Sequence, residues 1–201
     1  MPPIVASFLR IAGITATAFV LGGLTPLGQG ALPAEFSSLA NSASGWTIPT
    51  ALLVWLLARG YPEAAIGGAL GFIALTIGYT VASAWRGVDF DPLFWVIVGV
   101  VVGPFIGLAA HALRRSPLHA ALGTGLLSGV LVGEAIYGLI VVGDTTSPVY
   151  WWITAALGVA LLVATAVRIR RLRLIVLAAA LTATIAAAFL TAYQLLGSVS
   201  R

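Results

Sequence analysis

Glu134 is a carboxylate set inside the run Ala120 to Val142, which is otherwise apolar, small or weakly polar and long enough to cross a bilayer. An ionisable group at that depth costs about 2.5–3.5 kcal/mol on insertion scales, so it normally faces a partner, a cavity or a ligand path. Three kinds of chemistry suit it. It can be the counter-ion of a cationic ligand or a proton site in a transport or binding pocket, which is the leading reading. It can be a structural acid hydrogen-bonded to a neighbouring helix. Catalysis is the least supported. Tyr137 follows one helical turn later on the same face, within reach of a shared pocket.

Other polar side chains join these two as candidate ligand contacts. Thr76 and Tyr79 belong to an apolar run at Pro62–Trp85, while Gln29 and Asn41 carry amides that could line the pocket or serve turns and caps. If the run holding Glu134 leads outward, the carboxylate lies about 12 Å below its outer end by helical rise. Tyr79, Thr76, Thr50, Tyr193 and Gln194 then share the outer half, as expected for a cavity open to the exterior.

Metal, thiol and nucleophile chemistry find little support. The chain has no cysteine and two histidines. His111 differs in depth from Glu134 by about 15 Å by helical rise, and reads as a packing or interfacial residue. His119 sits in a polar turn and reads as solvated. No phosphate loop, dinucleotide fingerprint, HExxH or serine-elbow motif occurs. No metal or other cofactor is expected, and the chain does not read as an enzyme.

The elements that must hold these residues follow from composition. Of 201 residues, 60% are hydrophobic and 8% charged, against about 25% charged in a water-soluble domain. Seven apolar stretches can be read: 4–24, 46–58, 62–85, 93–113, 120–142, 150–167 and 174–196. Lipid accepts only helices or closed barrels, and these runs lack a barrel strand's alternation. The expectation is all-α: a polytopic transmembrane helical bundle of six or seven spans, forming one domain over 1–201. The first run reads as an uncleaved span.

All ten basic side chains are arginine, and six of them fall in two short turns, Arg114-Arg115 and Arg168 to Arg173. With Arg59 they mark alternate turns, the positive-inside pattern, so the amino terminus is expected in the cytoplasm of a cell-membrane protein. Tryptophans 46, 85, 95, 151 and 152 then fall at the outer interface. The basic balance points to the lipid bilayer rather than nucleic acid; a small-molecule solute and membrane partner subunits are the other candidate partners.

The stretch 46–58 is short: about 20 Å of helix against a hydrocarbon core of about 30 Å. The segment 25–49 then reads either as an irregular or re-entrant element or as an ordinary external loop with a short interfacial helix over 33–41, starting near Pro33, and 25–45 is the candidate lid. Glycines recur at four-residue spacing, Gly99-Gly103-Gly107 in the fourth run and Gly125-Gly129-Gly133 in the fifth, with Gly67, Gly71 and Gly78 in the third. Such faces let backbones approach closely, so these three runs are expected to form the tight centre, held by a fourth-to-fifth glycine contact. Pro104 should kink the fourth.

The order Gly28-Gln29-Gly30, Leu32-Pro33, Leu39-Ala40-Asn41-Ser42, Trp46, Gly78-Tyr79, Trp95, Gly103, Gly107 and Glu134 resembles a family of small bacterial integral membrane proteins of unknown function, over about residues 10–140. More distantly, the long segment at 25–45 and the outer polar bias look like the substrate-binding S components of energy-coupling-factor transporters. That resemblance implies a small helical bundle whose first external loop gates an outward-facing pocket. The function expected is small-molecule binding or transport near Glu134; the alternative is a non-transporting subunit or scaffold packing through its glycine faces.

Overall fold

The computed structural model describes residues 2–199 and, among them, every side chain but those of 40, 41 and 196–199. The described chain is all-helical: α1 (Pro3–Ala31), a 3-10 helix (Ala34–Asn41), α2 (Ala43–Leu57), α3 (Tyr61–Trp85), α4 (Leu93–Ala112), α5 (Pro117–Ile140), α6 (Pro148–Ile169) and α7 (Leu172–Val199). Six of these, all but α2 and the 3-10 helix, are long and apolar enough to cross a membrane. Proline opens α1, α3, α5 and α6, where its missing N–H costs nothing and its fixed φ suits the first turn.

The segment 25–49 is irregular only in part, and it holds the short helix expected after Pro33. α1 stays helical through Pro26 to Ala31, and α2 begins at Ala43, ahead of Trp46. Non-α backbone is confined to Leu32-Pro33, the 3-10 turns and the extended Ser42 (φ −141°, ψ 151°). α1 can continue because Pro26 removes one N–H only, and Gly22, one turn earlier, abuts the Leu75 backbone of α3. α4 likewise remains helical through Pro104.

The chain packs as two compact units and passes from one to the other three times, at 32–33, in the first turn of α2 and at 111–112. One comprises Met1–Leu32 and Gly45–His111, the other Pro33–Ser44 and Ala112–Arg201.

In the first unit α1 and α3 run parallel. Arg10 meets Glu63, Ile14 meets Gly67, Phe19 meets Gly78 and Gln29 meets Tyr79. α2 returns alongside this pair, with Leu57 beside Gly13, Val54 packed with Ile14, and Trp46 against the Ala18–Leu75 cluster. α2, 15 residues long, thus runs back along two parallel helices of spanning length. α4 is antiparallel to α3: a Cβ on Gly68 would overlap the Gly103 carbonyl, and one on Gly107 the Ala64 carbonyl.

The second unit repeats the parallel arrangement. Gly125, Gly129 and Gly133 of α5 lie against Leu181, Ile185 and Ala186 of α7. α6 runs antiparallel to α5, with Thr124 Oγ1 2.7 Å from Thr165 Oγ1 and Gly138 flat against the Trp151 ring. The glycine faces are thus filled within each unit: those of α4 meet α3, two of the three helices expected at the centre, whereas those of α5 meet α7, which was not among them. Spacing on one helix announces a close neighbour without naming it.

Candidate functional site

Glu134 is 3% exposed, and both of its oxygens are engaged. Oε1 accepts the backbone N–H of Ala43 at 2.5 Å and Oε2 accepts that of Ser44 at 2.7 Å. These are the first N–H groups of α2, which have no intrahelical acceptor. In lipid no water stands in for one, and a carboxylate there also complements the helix dipole. Glu134 therefore does across 90 residues what an N-cap side chain does locally.

Ser42, the residue just before α2, brings its hydroxyl to a second buried group. Tyr150, near the start of α6, places its phenol 2.6 Å from Ser42 Oγ and 2.7 Å from Ser44 Oγ. All three residues are buried. The 3-10 helix leading into this turn packs on α6, while Glu35, Phe36, Ser37 and Leu39 along it are exposed. The result is a polar catch: a carboxylate holding two amides, and a phenol holding the two serines that flank Ala43.

A model of a family of unknown function, DUF6518, matches residues 1–198. The chain belongs to that family. Membership extends over nearly the whole chain, beyond the residues 10–140 that carry the sequence resemblance, and brings no activity with it. No curated protein and no solved structure matches the chain.

The other sequence candidates in this DUF6518 chain make contacts within their own units. Tyr137 presents its ring edge-on to Tyr193 at 5.1 Å, and Tyr193 stacks on Phe189; the carboxylate's amide partners come from α2 instead. In the first unit Tyr79 donates its phenolic O–H to Gln29 Oε1 at 3.3 Å. With Pro26, Gly30, Ser83, Arg86 and Val88 these two line a cleft of about 210 Å³, and Arg86 donates to the Pro26 carbonyl. Thr76 is fully buried, and its hydroxyl donates to the Phe72 carbonyl one turn back. The side chain of Asn41 lies outside the described residues.

Sequence reasoning did not find Ser44 and Tyr150. A serine pair just ahead of an apolar helix is a capping signal that could have pointed to Ser42 and Ser44; nothing local distinguishes Tyr150. The ion pair of Arg10 with Glu63 was also missed. Arg10 Nη2 stands 2.5 Å from Glu63 Oε1 and Nε 3.0 Å from Oε2, and the same carboxylate accepts from Ser7 Oγ and the Arg59 N–H. His111 is buried edge-on to Tyr61, a packing position. Trp46, expected at the interface, sits in an aromatic cluster with Phe72, Tyr79 and Trp95. Among the described residues no three His, Cys, Asp or Glu converge on one point.

Proposed function

We propose that this chain binds or transports a small molecule across the cytoplasmic membrane, without catalysis, and that residues 33–44 form a lid latched by Glu134. The observation carrying this reading is the pairing of the Glu134 carboxylate with the Ala43 and Ser44 amides. A carboxylate that holds a segment through two neutral donors is the kind of acceptor for which a cationic ligand group, or a proton, competes. Occupying Glu134 would remove the two acceptors from the start of α2, and the lid would loosen with them. The pocket near Glu134 opens outward in this reading, with the amino terminus cytoplasmic, because Arg59, Arg114-Arg115 and Arg168 to Arg173 mark alternate turns. The likeness to transporter S components, which also use a first external loop as a gate, agrees with it. The scaffold alternative loses its main support, since the glycine faces it would offer to partners are filled within each unit.

The test combines two measurements. Solutes are screened by thermal shift against the wild type, Glu134→Gln and Tyr150→Phe, each judged against its own unliganded baseline. A cationic or proton-coupled solute should stabilise the wild type and Tyr150→Phe but not Glu134→Gln. Because the chain has no cysteine, Ser38→Cys, at a buried position of the same segment, reports lid opening by its labelling rate, which the same solute should change. A solute that stabilises all three proteins equally, with unchanged labelling, removes Glu134 from the site. Uptake by a deletion strain separates the alternative: a defect for one solute favours transport, and loss of an associated complex favours the scaffold.

A further inference from the structure

At the end of the second unit where α5 and α7 begin, the sequence concentrates charge of one sign. Arg114, Arg115, Arg168, Arg170, Arg171 and Arg173 occupy two short segments, 112–120 and 165–175, that contain no Asp or Glu. The structure divides their tasks. Arg168 donates to the carbonyls of Leu113 at 2.5 Å and Arg115 at 3.1 Å, tying the end of α6 to the connection between α4 and α5. Arg170 turns the chain out of α6 in the left-handed region (φ 52°), and its Nε donates to the Val167 carbonyl at 3.2 Å. Arg171 and Arg173 are exposed, and their guanidinium groups take no hydrogen bond or ion pair among the described residues.

Those two arginines border a groove of about 660 Å³, whose other walls are Ser116, Pro117, Leu118, Leu172 and Leu174. Leu172 is 76% exposed and Leu118 46%. A groove that is cationic on one wall, mainly apolar on the others apart from Ser116, and placed at the ends of two spanning helices matches a molecule with an anionic head and a hydrocarbon tail. A soluble anion would have no use for the leucines, and a neutral lipid none for the arginines. We propose that this groove is a binding site for an anionic phospholipid, with the phosphate between Arg171 and Arg173 and acyl chain along Leu118, Leu172 and Leu174. Basic grooves at helix ends select anionic headgroups by charge, and the apolar walls supply the contact that holds the lipid through delipidation. The inference does not depend on the lid at Glu134.

The experiment uses the full chain purified in neutral detergent and titrated separately with phosphatidylglycerol, diphosphatidylglycerol, phosphatidylcholine and inorganic phosphate. Native mass spectrometry counts retained lipid, and Tm is followed in parallel. The two anionic lipids should be retained at a one-to-one ratio and raise Tm; phosphatidylcholine and phosphate should do neither. Arg171→Gln with Arg173→Gln should weaken retention about thirtyfold, as expected for removing two headgroup contacts, with the unliganded Tm unchanged because both side chains are exposed. The Arg171→Lys, Arg173→Lys pair should keep most of the binding. Equal retention of phosphatidylcholine, or undiminished retention by the double Gln variant, would overturn the site. Competition by millimolar phosphate would reassign it to a soluble anion.

Discussion

Glu134 of α5 and Ser44 of α2 meet through a carboxylate oxygen and a backbone nitrogen 2.7 Å apart, although 90 residues separate them in the chain. The relationship makes an amide a poor substitute for the acid. Glutamine offers one acceptor oxygen, and its NH2 would point at a second N–H donor, so one amide of the α2 start loses its partner. Glu134→Gln is expected to fold with a stability loss of about 1–3 kcal/mol, the usual cost of an unsatisfied buried polar group. Tyr150→Phe, which strips the phenol from Ser42 and Ser44, should cost a similar amount. Unfolding in mixed micelles measures both; wild-type stability for Glu134→Gln would mean that the two amides find another acceptor.

Glycine positions rank by what lies opposite them. Gly68→Ala would drive a Cβ into the Gly103 carbonyl, and Gly129→Ala would bring one to 2.5 Å from Ile185 Cβ. Overpacking of this kind costs about 1–3 kcal/mol, and Gly129→Leu or Gly103→Leu should cost more. Gly28→Ala meets nothing nearer than Leu32 Cδ1 at 3.7 Å and serves as the control. Leu126→Ala, at a half-buried position, should be milder than the Leu variants. The yield of monodisperse protein in detergent and its Tm should follow that order.

Arg10 and Glu63 should be coupled. Glu63 accepts from Arg10, Ser7 and the Arg59 backbone, so Arg10→Gln leaves a carboxylate short of its cation while Glu63→Gln leaves the arginine free to reach solvent or headgroups. The first change should be the more damaging, and the double variant less damaging than the sum of the two. Additive losses in a double-mutant cycle would show that the pair is only a surface contact.

The pairing directions inside each unit bear on topology. With α1 parallel to α3 and α5 parallel to α7, the short α2 makes the return from α1 to α3. A cytoplasm-active reporter placed after Arg115 or Arg171 should be active, and one near Asp144 silent. Reversal of both would overturn the arginine-based orientation, and equal activity at all three sites would deny that α5 and α6 cross the membrane.

Much of the architecture was legible in one dimension. Run length, scarcity of charge and the need to satisfy every backbone group internally dictate helices, and their boundaries follow from local residues such as Pro62, Pro117 and Pro148. The same reasoning marked Glu134, because an acid inside an apolar run is conspicuous without any knowledge of its neighbours. Its partners were invisible. They are backbone N–H groups, which nearly every residue carries, so no side-chain pattern announces that Ala43 and Ser44 meet α5. The glycine stripes show the same limit: Gly103 and Gly129 declared a close approach, but only three-dimensional packing chose α3 for one and α7 for the other. Composition and periodicity act along the chain and decide which segments are helices. Which helix faces which depends on contacts between residues far apart in sequence, and those exist only once the bundle has folded.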